Sequence, residues 1–230
     1  ELFAIALPVG ATSLLGTLLG SANAVLIPAR LVAGGMDASQ AMAQFGVVSG
    51  MTLPLLALPT GFIGALCLVM VPDLARRTAR GNRQAAAGFL DRVVSATSLL
   101  MAPAMALLAV VGPTIGRALF RNEGVGEFIL PLAAGTLLGC YQSVLGGALN
   151  GLGLQGRGAR NAILSDAAQL ICTWALVPRW GLAGFVSGFV LSAAVGAGLN
   201  LISVLRSTQL RPRVFSWFVR PLLSAVFMGL

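Results

Sequence analysis

Long stretches without any charged residue alternate with short arginine-containing segments along this chain of 230 residues. Each charge-free stretch is long enough for the roughly 20 apolar residues that cross a bilayer as a helix. A signal peptide would give only one short apolar run, and outer-membrane strands would alternate in polarity over about 10 residues. The charge-free stretches lie between Glu1 and Arg30, Asp37 and Asp73, Arg92 and Arg117, Glu127 and Arg157, and Arg179 and Arg206.

Turn signals divide this pattern into six membrane spans and the start of a seventh. A short fifth span containing Asp166 is included because a Pro/Trp/Gly turn at 178–181 follows it, and Trp180 suits the membrane interface. We therefore predict an all-α membrane protein, a six-helix transmembrane bundle followed by the start of a further helix. The predicted spans are 2–27, 44–71, 93–111, 128–147, 162–177 and 182–205, and the seventh begins near Trp217.

Composition supports a membrane environment for the whole chain. Hydrophobic residues make up 57% and charged residues only 10%, with a mean hydropathy of +0.90. Soluble domains usually carry about a quarter charged residues. The chain opens at Glu1 without a methionine and closes at Leu230 within an apolar run, from which we expect a segment of a longer protein.

All fifteen basic residues are arginines, and they are distributed unevenly between the two sides of the predicted bundle. Eleven fall in the connections after spans two, four and six, and four fall on the other side. The positive-inside rule therefore predicts that the N-terminal end of this segment and the connections after spans two, four and six are cytoplasmic. The net charge of +8 follows this topological pattern, so no nucleic-acid partner is expected.

The sequence contains no set of residues typical of an active site. It has no histidine, no closely spaced pair of carboxylates and no metal-binding cysteine pattern. A GxGxxG match at 151–156 follows a membrane span and not a strand, so it indicates a flexible turn and not a dinucleotide site. We expect no enzyme activity, no metal and no cofactor.

Charged residues near or within the spans are the first candidates for function, because ionisable groups are costly at membrane depth. Asp166 lies in the fifth span, where it either pairs with Arg160 or faces a cavity. Arg30 follows Ile-Pro-Ala at the outer end of the first span, where it either holds an anionic head group or faces water.

Uncharged polar residues within the spans can bond sugar hydroxyls, or they can join helices with modest energies of about 1 kcal/mol. Glycines at short spacing in the sixth span favour close helix packing. The uncharged set also includes Gln169 and Asn200, and the glycines are Gly184, Gly188, Gly196 and Gly198. The substrate-path candidates are Arg30, Asn23, Gln44, Gln142, Asn150 and Asp166.

Several motifs, in order, give the chain a family resemblance over nearly its whole length. Their order and spacing resemble the second half of the stage V sporulation protein B family, which belongs to the multidrug/oligosaccharidyl-lipid/polysaccharide (MOP) exporter superfamily. The motifs are IPARL at 27–31 with GG at 34–35 and Ala41, GM at 50–51, LPL at 53–55, LP at 58–59, VPDLA at 71–75, GALNGLG at 147–153 and PRWGLAG at 178–184.

The resemblance implies a MATE-type transporter of two six-helix lobes around a cavity that opens alternately to each side. Residues 1–205 would form the second lobe, and 206–230 a cytoplasmic linker and the start of a further helix. The first lobe, absent from this chain, would be its partner, together with membrane lipids. The implied activity is the flipping of lipid-linked glycans for polysaccharide, peptidoglycan, cell-envelope or spore synthesis across the bacterial cytoplasmic membrane.

One departure from the family pattern bears on the substrate. Lipid II flippases of this superfamily have an arginine in the span that corresponds to 44–71, where this chain has no charge. This departure argues against an anionic lipid II head group as the substrate, and it leaves a polysaccharide-type or unknown lipid-linked glycan open. The alternatives are a cation-coupled multidrug exporter, which would need a deep carboxylate such as Asp166, and a non-transporting scaffold with an apolar interior. A membrane glycosyltransferase is disfavoured, because acidic metal or base sites are lacking.

Overall fold

Six helices joined by short turns form the part of the protein that the structure describes. The computed structural model describes residues 2–208 and Trp217, and these residues contain no strand. The all-α fold is therefore confirmed. The predicted start of a seventh span lies outside the described residues, apart from Trp217 itself. The helices are α1 (Leu2–Ala33), α2 (Ala38–Ala79, with internal irregularities), α3 (Arg83–Phe120), α4 (Ile129–Gly151), α5 (Gln155–Trp180) and α6 (Leu182–Thr208).

The helices extend beyond the predicted spans because polar and charged residues continue them past the apolar runs. Asp37 ends the turn before α2 and accepts a hydrogen bond from the Ser39 backbone N–H at 3.0 Å, as an N-cap does. Gly153 and Gly181, with φ of +74° and +58°, make the turns after α4 and α5. Pro178 lies inside the last turn of α5, so the turn predicted at 178–181 is reduced to Gly181.

Five of the six helices contain an apolar window long enough to cross a membrane, and α5 is the exception. Its mean hydropathy is lowered by Arg157, Arg160, Asp166 and Arg179 and by a row of buried polar side chains. The chain is a multi-pass membrane protein. We call the end that holds the α2–α3 and α4–α5 turns and the last turn of α6 the arginine-rich end.

Prolines make α2 irregular in its middle. Pro54 follows a π-helical turn at Val48–Thr52, and Pro59 lies in a 3-10 turn at Leu58–Thr60. A proline has no N–H for the carbonyl four residues before it, so the regular helix ladder cannot continue through either position. The Leu55 carbonyl accepts instead from the Leu58 N–H.

The helix α4 lies at the centre of the packing, with α2, α3 and α6 against it. The α2–α4 contact is apolar: Met70 and Leu74 are buried, and the glycine backbones of α4 come close to them. A Cβ at Gly147 would lie 3.0 Å from Met70 Cε, and one at Gly151 would lie 3.0 Å from Leu74 Cβ. In contrast, α1 packs mainly on α5 and on the first turns of α2.

Candidate functional site

A cavity of about 370 Å³ lies between α1, α2, α4, α5 and α6, and it brings together three of the predicted candidates. Asn23 enters it from α1, Gln142 from α4 and Asp166 from α5. Phenylalanine rings from α2 and α6 form the apolar part of the lining. The remaining polar residues at the cavity are Ser49, Ser165, Gln169 and Ser192, and the rings are Phe45, Phe185 and Phe189.

A row of buried polar side chains follows one face of α5. Residues four positions apart share a face of an α-helix, and this face is turned toward α4 and α6. Gln169 stood out in the sequence only as a single polar residue within a span. The four-residue spacing of the whole row is the signal that could have identified it. The row consists of Asn161, Ser165, Gln169 and Thr173.

A matching row of small and polar residues follows α6 at the same spacing. A Cβ at Gly184 would lie 2.5 Å from the Leu176 carbonyl oxygen, and one at Gly188 would lie 2.7 Å from Cys172 Cβ. The two backbones therefore approach more closely than side chains would allow. Gly198 differs, since no atom lies within 4 Å of its Cβ position. The row consists of Gly184, Gly188, Ser192, Gly196 and Asn200.

Near the arginine-rich end, a hydrogen-bonded cluster joins α4, α5 and α6. Asn161 Nδ2 donates to Asn200 Oδ1 at 3.0 Å and to Ser203 Oγ at 3.1 Å. Asn200 Nδ2 in turn donates to the backbone carbonyl of Gln142 at 3.0 Å. Both asparagines are buried, so these bonds satisfy polar atoms that lipid could not.

A second set of hydrogen bonds forms the cavity wall. Gln142 Nε2 donates to Ser165 Oγ at 3.3 Å, and Ser165 Oγ donates to the Ser192 carbonyl at 2.7 Å. The Ser192 hydroxyl lies 2.6 Å from Gln169 Oε1 and donates to it. Gly196 makes room for this arrangement, because a Cβ there would overlap the Gln142 amide. The wall is thus fixed by its own bonds, with amide groups at its surface.

Two acceptors at the cavity have no protein partner among the described residues. Asn23 Oδ1 is buried and receives no hydrogen bond. Asp166 is half-buried and forms no hydrogen bond or salt bridge, and Arg160 is exposed. The pairing of Asp166 with Arg160 is therefore not seen in the described part of the chain. A ligand with hydrogen-bond donors would complete both groups.

Arg30 lies away from the cavity, at the contact between α1 and α5. Its Nε and Nη2 donate to the Trp174 carbonyl at 3.2 and 2.9 Å. Its guanidinium also lies 4.7 Å from the centroid of the Trp174 ring, as in a cation–π contact. The structure therefore gives Arg30 a helix-joining contact, and it faces neither the cavity nor water alone.

The two other predicted candidates lie elsewhere. Gln44 is exposed on α2, and Asn150 is exposed at the end of α4, where its carbonyl accepts from Gln155 Nε2 at 3.4 Å. In the described ranges, no three His, Cys, Asp or Glu side chains lie close enough together to hold a metal ion.

The chain matches curated proteins over most of its length. The chain is similar to Stage V sporulation protein B of Bacillus subtilis (strain 168), with 22% identity over 209 residues. The match covers 90% of this chain and 39% of that protein, so the chain spans well under half the length of this relative. The resemblance predicted from the motifs is confirmed, and its extent agrees with one half of a longer protein. No family model and no solved structure matches the chain.

Proposed function

We propose that the chain is the second lobe of an alternating-access transporter that flips lipid-linked oligosaccharide or polysaccharide precursors across the bacterial cytoplasmic membrane. The observation that carries the proposal is a cavity inside a six-helix membrane bundle, with amide, hydroxyl and carboxylate groups set into a mainly apolar lining. Similarity to Stage V sporulation protein B supports the assignment to a membrane transporter. The positive-inside rule supports a cytoplasmic location for the arginine-rich end.

The lining suits a carbohydrate. Amide groups from Asn23 and Gln142 can exchange hydrogen bonds with hydroxyls, and phenylalanine rings such as Phe185 offer an apolar face to sugar C–H groups. Ligand cavities usually measure about 300–1,000 Å³, so the volume of about 370 Å³ is adequate for part of a glycan.

The charge at the cavity favours the sugar part of the substrate over its phosphates. Asp166 is the single charged residue among the residues that line it. A pyrophosphate group would be repelled by this carboxylate, whereas neutral hydroxyls could donate to it. We therefore assign the glycan portion to this lobe. The same lone carboxylate disfavours a glycosidase-like reaction, which uses two carboxylates.

Reconstitution of the full-length protein with fluorescent lipid-linked glycans tests the function directly. We expect faster exchange of the label between leaflets than in protein-free vesicles. Unchanged leaflet distributions across neutral and anionic glycans would rule the function out.

The role of the cavity is tested with Asn23→Leu and its control Gln44→Leu. Asn23 Oδ1 has no partner among the described residues to lose, and Gln44 is an exposed amide within a span that does not itself belong to the cavity lining. We expect Asn23→Leu to slow flipping by about tenfold, as loss of one hydrogen bond to substrate would. Equal rates for the two variants would remove the cavity from the substrate path.

Cation-coupled export is a second candidate, favoured by the unpaired Asp166 carboxylate in the cavity. In that mechanism, Asp166→Asn would abolish the dependence of transport on a proton or sodium gradient, while Glu127→Gln outside the cavity would keep it. Gradient dependence that survives Asp166→Asn would exclude this mechanism for the lobe. A non-transporting scaffold receives no support from a cavity lined with amides.

A further inference from the structure

In the described part of α1, the fully buried side chains lie toward its C-terminal end. Ile27 and Leu31 are each 2% exposed and belong to the core. Toward the arginine-rich end, Gly16, Gly20 and Ser21 are exposed, and no atom lies within 4 Å of a Cβ built on either glycine. Half-buried and buried positions of α1 therefore begin, among its described side chains, at Asn23.

The attached end of α1 meets a break in α5. Pro178 has no N–H, so the Trp174 carbonyl four residues earlier lacks its usual helix partner. A carbonyl without a hydrogen-bond donor costs free energy near lipid. The Arg30 guanidinium supplies two donors, Nε and Nη2, to the Trp174 carbonyl. The proline thus creates the acceptor that holds α1.

The backbone just after α1 also makes a close contact with this part of α5. A Cβ at Gly34, directly after α1, would lie 2.7 Å from the Pro178 carbonyl oxygen. Only glycine allows this approach. Two independent contacts therefore hold α1 to the same part of α5: the Arg30 side chain at Trp174 and the Gly34 backbone at Pro178.

We propose that Arg30, Trp174 and Pro178 form a pivot about which α1 swings to open and close the cavity. Gly20, Asn23 and Ala24 of α1 line the cavity, so movement of the more exposed part of the helix changes access to it. The pivot keeps the other end in place during this movement. Such a pivot would work in the same way for any transported substrate, so it does not depend on the proposed function.

The labelling rate of a cavity cysteine measures this movement without any substrate. Asn23→Cys, at a half-buried position of the lining, is introduced into the full-length protein in nanodiscs, with Cys67, Cys140 and Cys172 replaced by serine or alanine. The probe is a membrane-impermeant maleimide. We expect Arg30→Ala to raise the labelling rate by about tenfold, since charge-assisted hydrogen bonds contribute on that scale. Arg179→Ala, an exposed arginine at the same end, should leave the rate unchanged.

A double variant separates a pivot from simple structural support. In Arg30→Ala with Pro178→Ala, the restored N–H at 178 satisfies the Trp174 carbonyl, so the melting temperature should recover. The labelling rate should stay high, because α1 is still unclamped. Labelling that returns to the wild-type rate in the double variant would overturn the proposal. An unchanged rate in Arg30→Ala, or an equal rise in Arg179→Ala, would also overturn it.

Discussion

Where α2 packs on α4, the contacting groups are apolar side chains and glycine backbone, whereas α5 and α6 meet through polar side chains and glycines. Met70 and Leu74 fill the first contact, which we call the apolar interface. Asn161, Gln169 and Asn200 belong to the second, which we call the polar interface. Lipid is as apolar as leucine, so neither interface can rely on the hydrophobic effect as in water. Close packing is common to both.

The difference between the two interfaces corresponds to the position of the cavity. The polar interface borders the cavity, and its amides and hydroxyls reach the cavity wall, whereas Met70 and Leu74 do not line it. Polar residues in membrane helices therefore have two roles here: they hold helices together, and they line the cavity. The following predictions test whether the two interfaces really differ in strength and in mechanism.

The largest effect is expected from Leu74→Ala in the apolar interface. Leu74 is 0% exposed, and its removal leaves a cavity beside the Gly151 backbone. The unfolding free energy should fall by about 2–4 kcal/mol, as for other buried leucines. SDS titration of the full-length protein measures it. Leu68→Ala, 79% exposed on the same helix, should cost little, and equal losses would show that α2 is not packed through Leu74.

An intermediate effect is expected from Gly184→Ala in the polar interface. The new methyl would press on the Leu176 carbonyl, a backbone atom that cannot move aside, at a cost of about 1–3 kcal/mol. Gly198→Ala on the same helix meets no atom within 4 Å. It should stabilise α6 by about 0.5–1 kcal/mol, because alanine is the better helix former. Opposite shifts in melting temperature confirm the comparison, and shifts of the same sign contradict it.

A smaller effect is expected from Asn161→Leu, which removes the bonds to Asn200 and Ser203. Hydrogen bonds between membrane helices average about 0.6 kcal/mol and rarely exceed about 1.7 kcal/mol. The loss in SDS titration should therefore stay below that of Leu74→Ala. A larger loss would mean that hydrogen bonds, and not packing, hold the polar interface together.

The smallest effect is expected at Asp37, where α2 begins. Hydrogen bonds from the Ser39 hydroxyl and N–H lower the pKa of the Asp37 carboxyl from its ordinary 3.8. A lowered pKa stabilises the fold above the ordinary value, and this contribution is lost as the pH falls through the lowered one. Asp37→Ala should therefore be slightly less stable than wild type at neutral pH, and the difference should vanish in strong acid. Asp37→Asn keeps the acceptor and should lack this pH dependence.

Charge-free runs predicted the helices well, because membrane spans must be apolar along most of their length. They predicted too short a helix for α5, at 162–177. Arg157 and Arg160 are typical of a connection between spans, although the helix already begins at Gln155. Part of the site could also be predicted from the sequence. Asn23, Gln142 and Asp166 are polar residues within charge-poor spans, and all three line the cavity.

The rest of the site depends on how helices are placed beside one another. Gln44 and Asn23 are similar amides within spans, yet only the fold decides that one lines the cavity and the other lies on the surface. The contact of Arg30 with Trp174 joins residues 144 positions apart, so spacing in the sequence could not reveal it. The four-residue spacing of the rows on α5 and α6 is visible in the sequence, and it indicates a shared helix face that the single polar residues do not.

The π-helical turn at Val48–Thr52 changes what α2 can transmit. Before the turn and just after it, Phe45 and Leu53 point to the cavity, and farther along Met70 points to α4. The inserted residue and the two prolines shift the rotational phase of the helix between these parts. One helix can therefore present Phe45 to the cavity and Met70 to the apolar interface, although a regular helix would not keep both positions in these orientations.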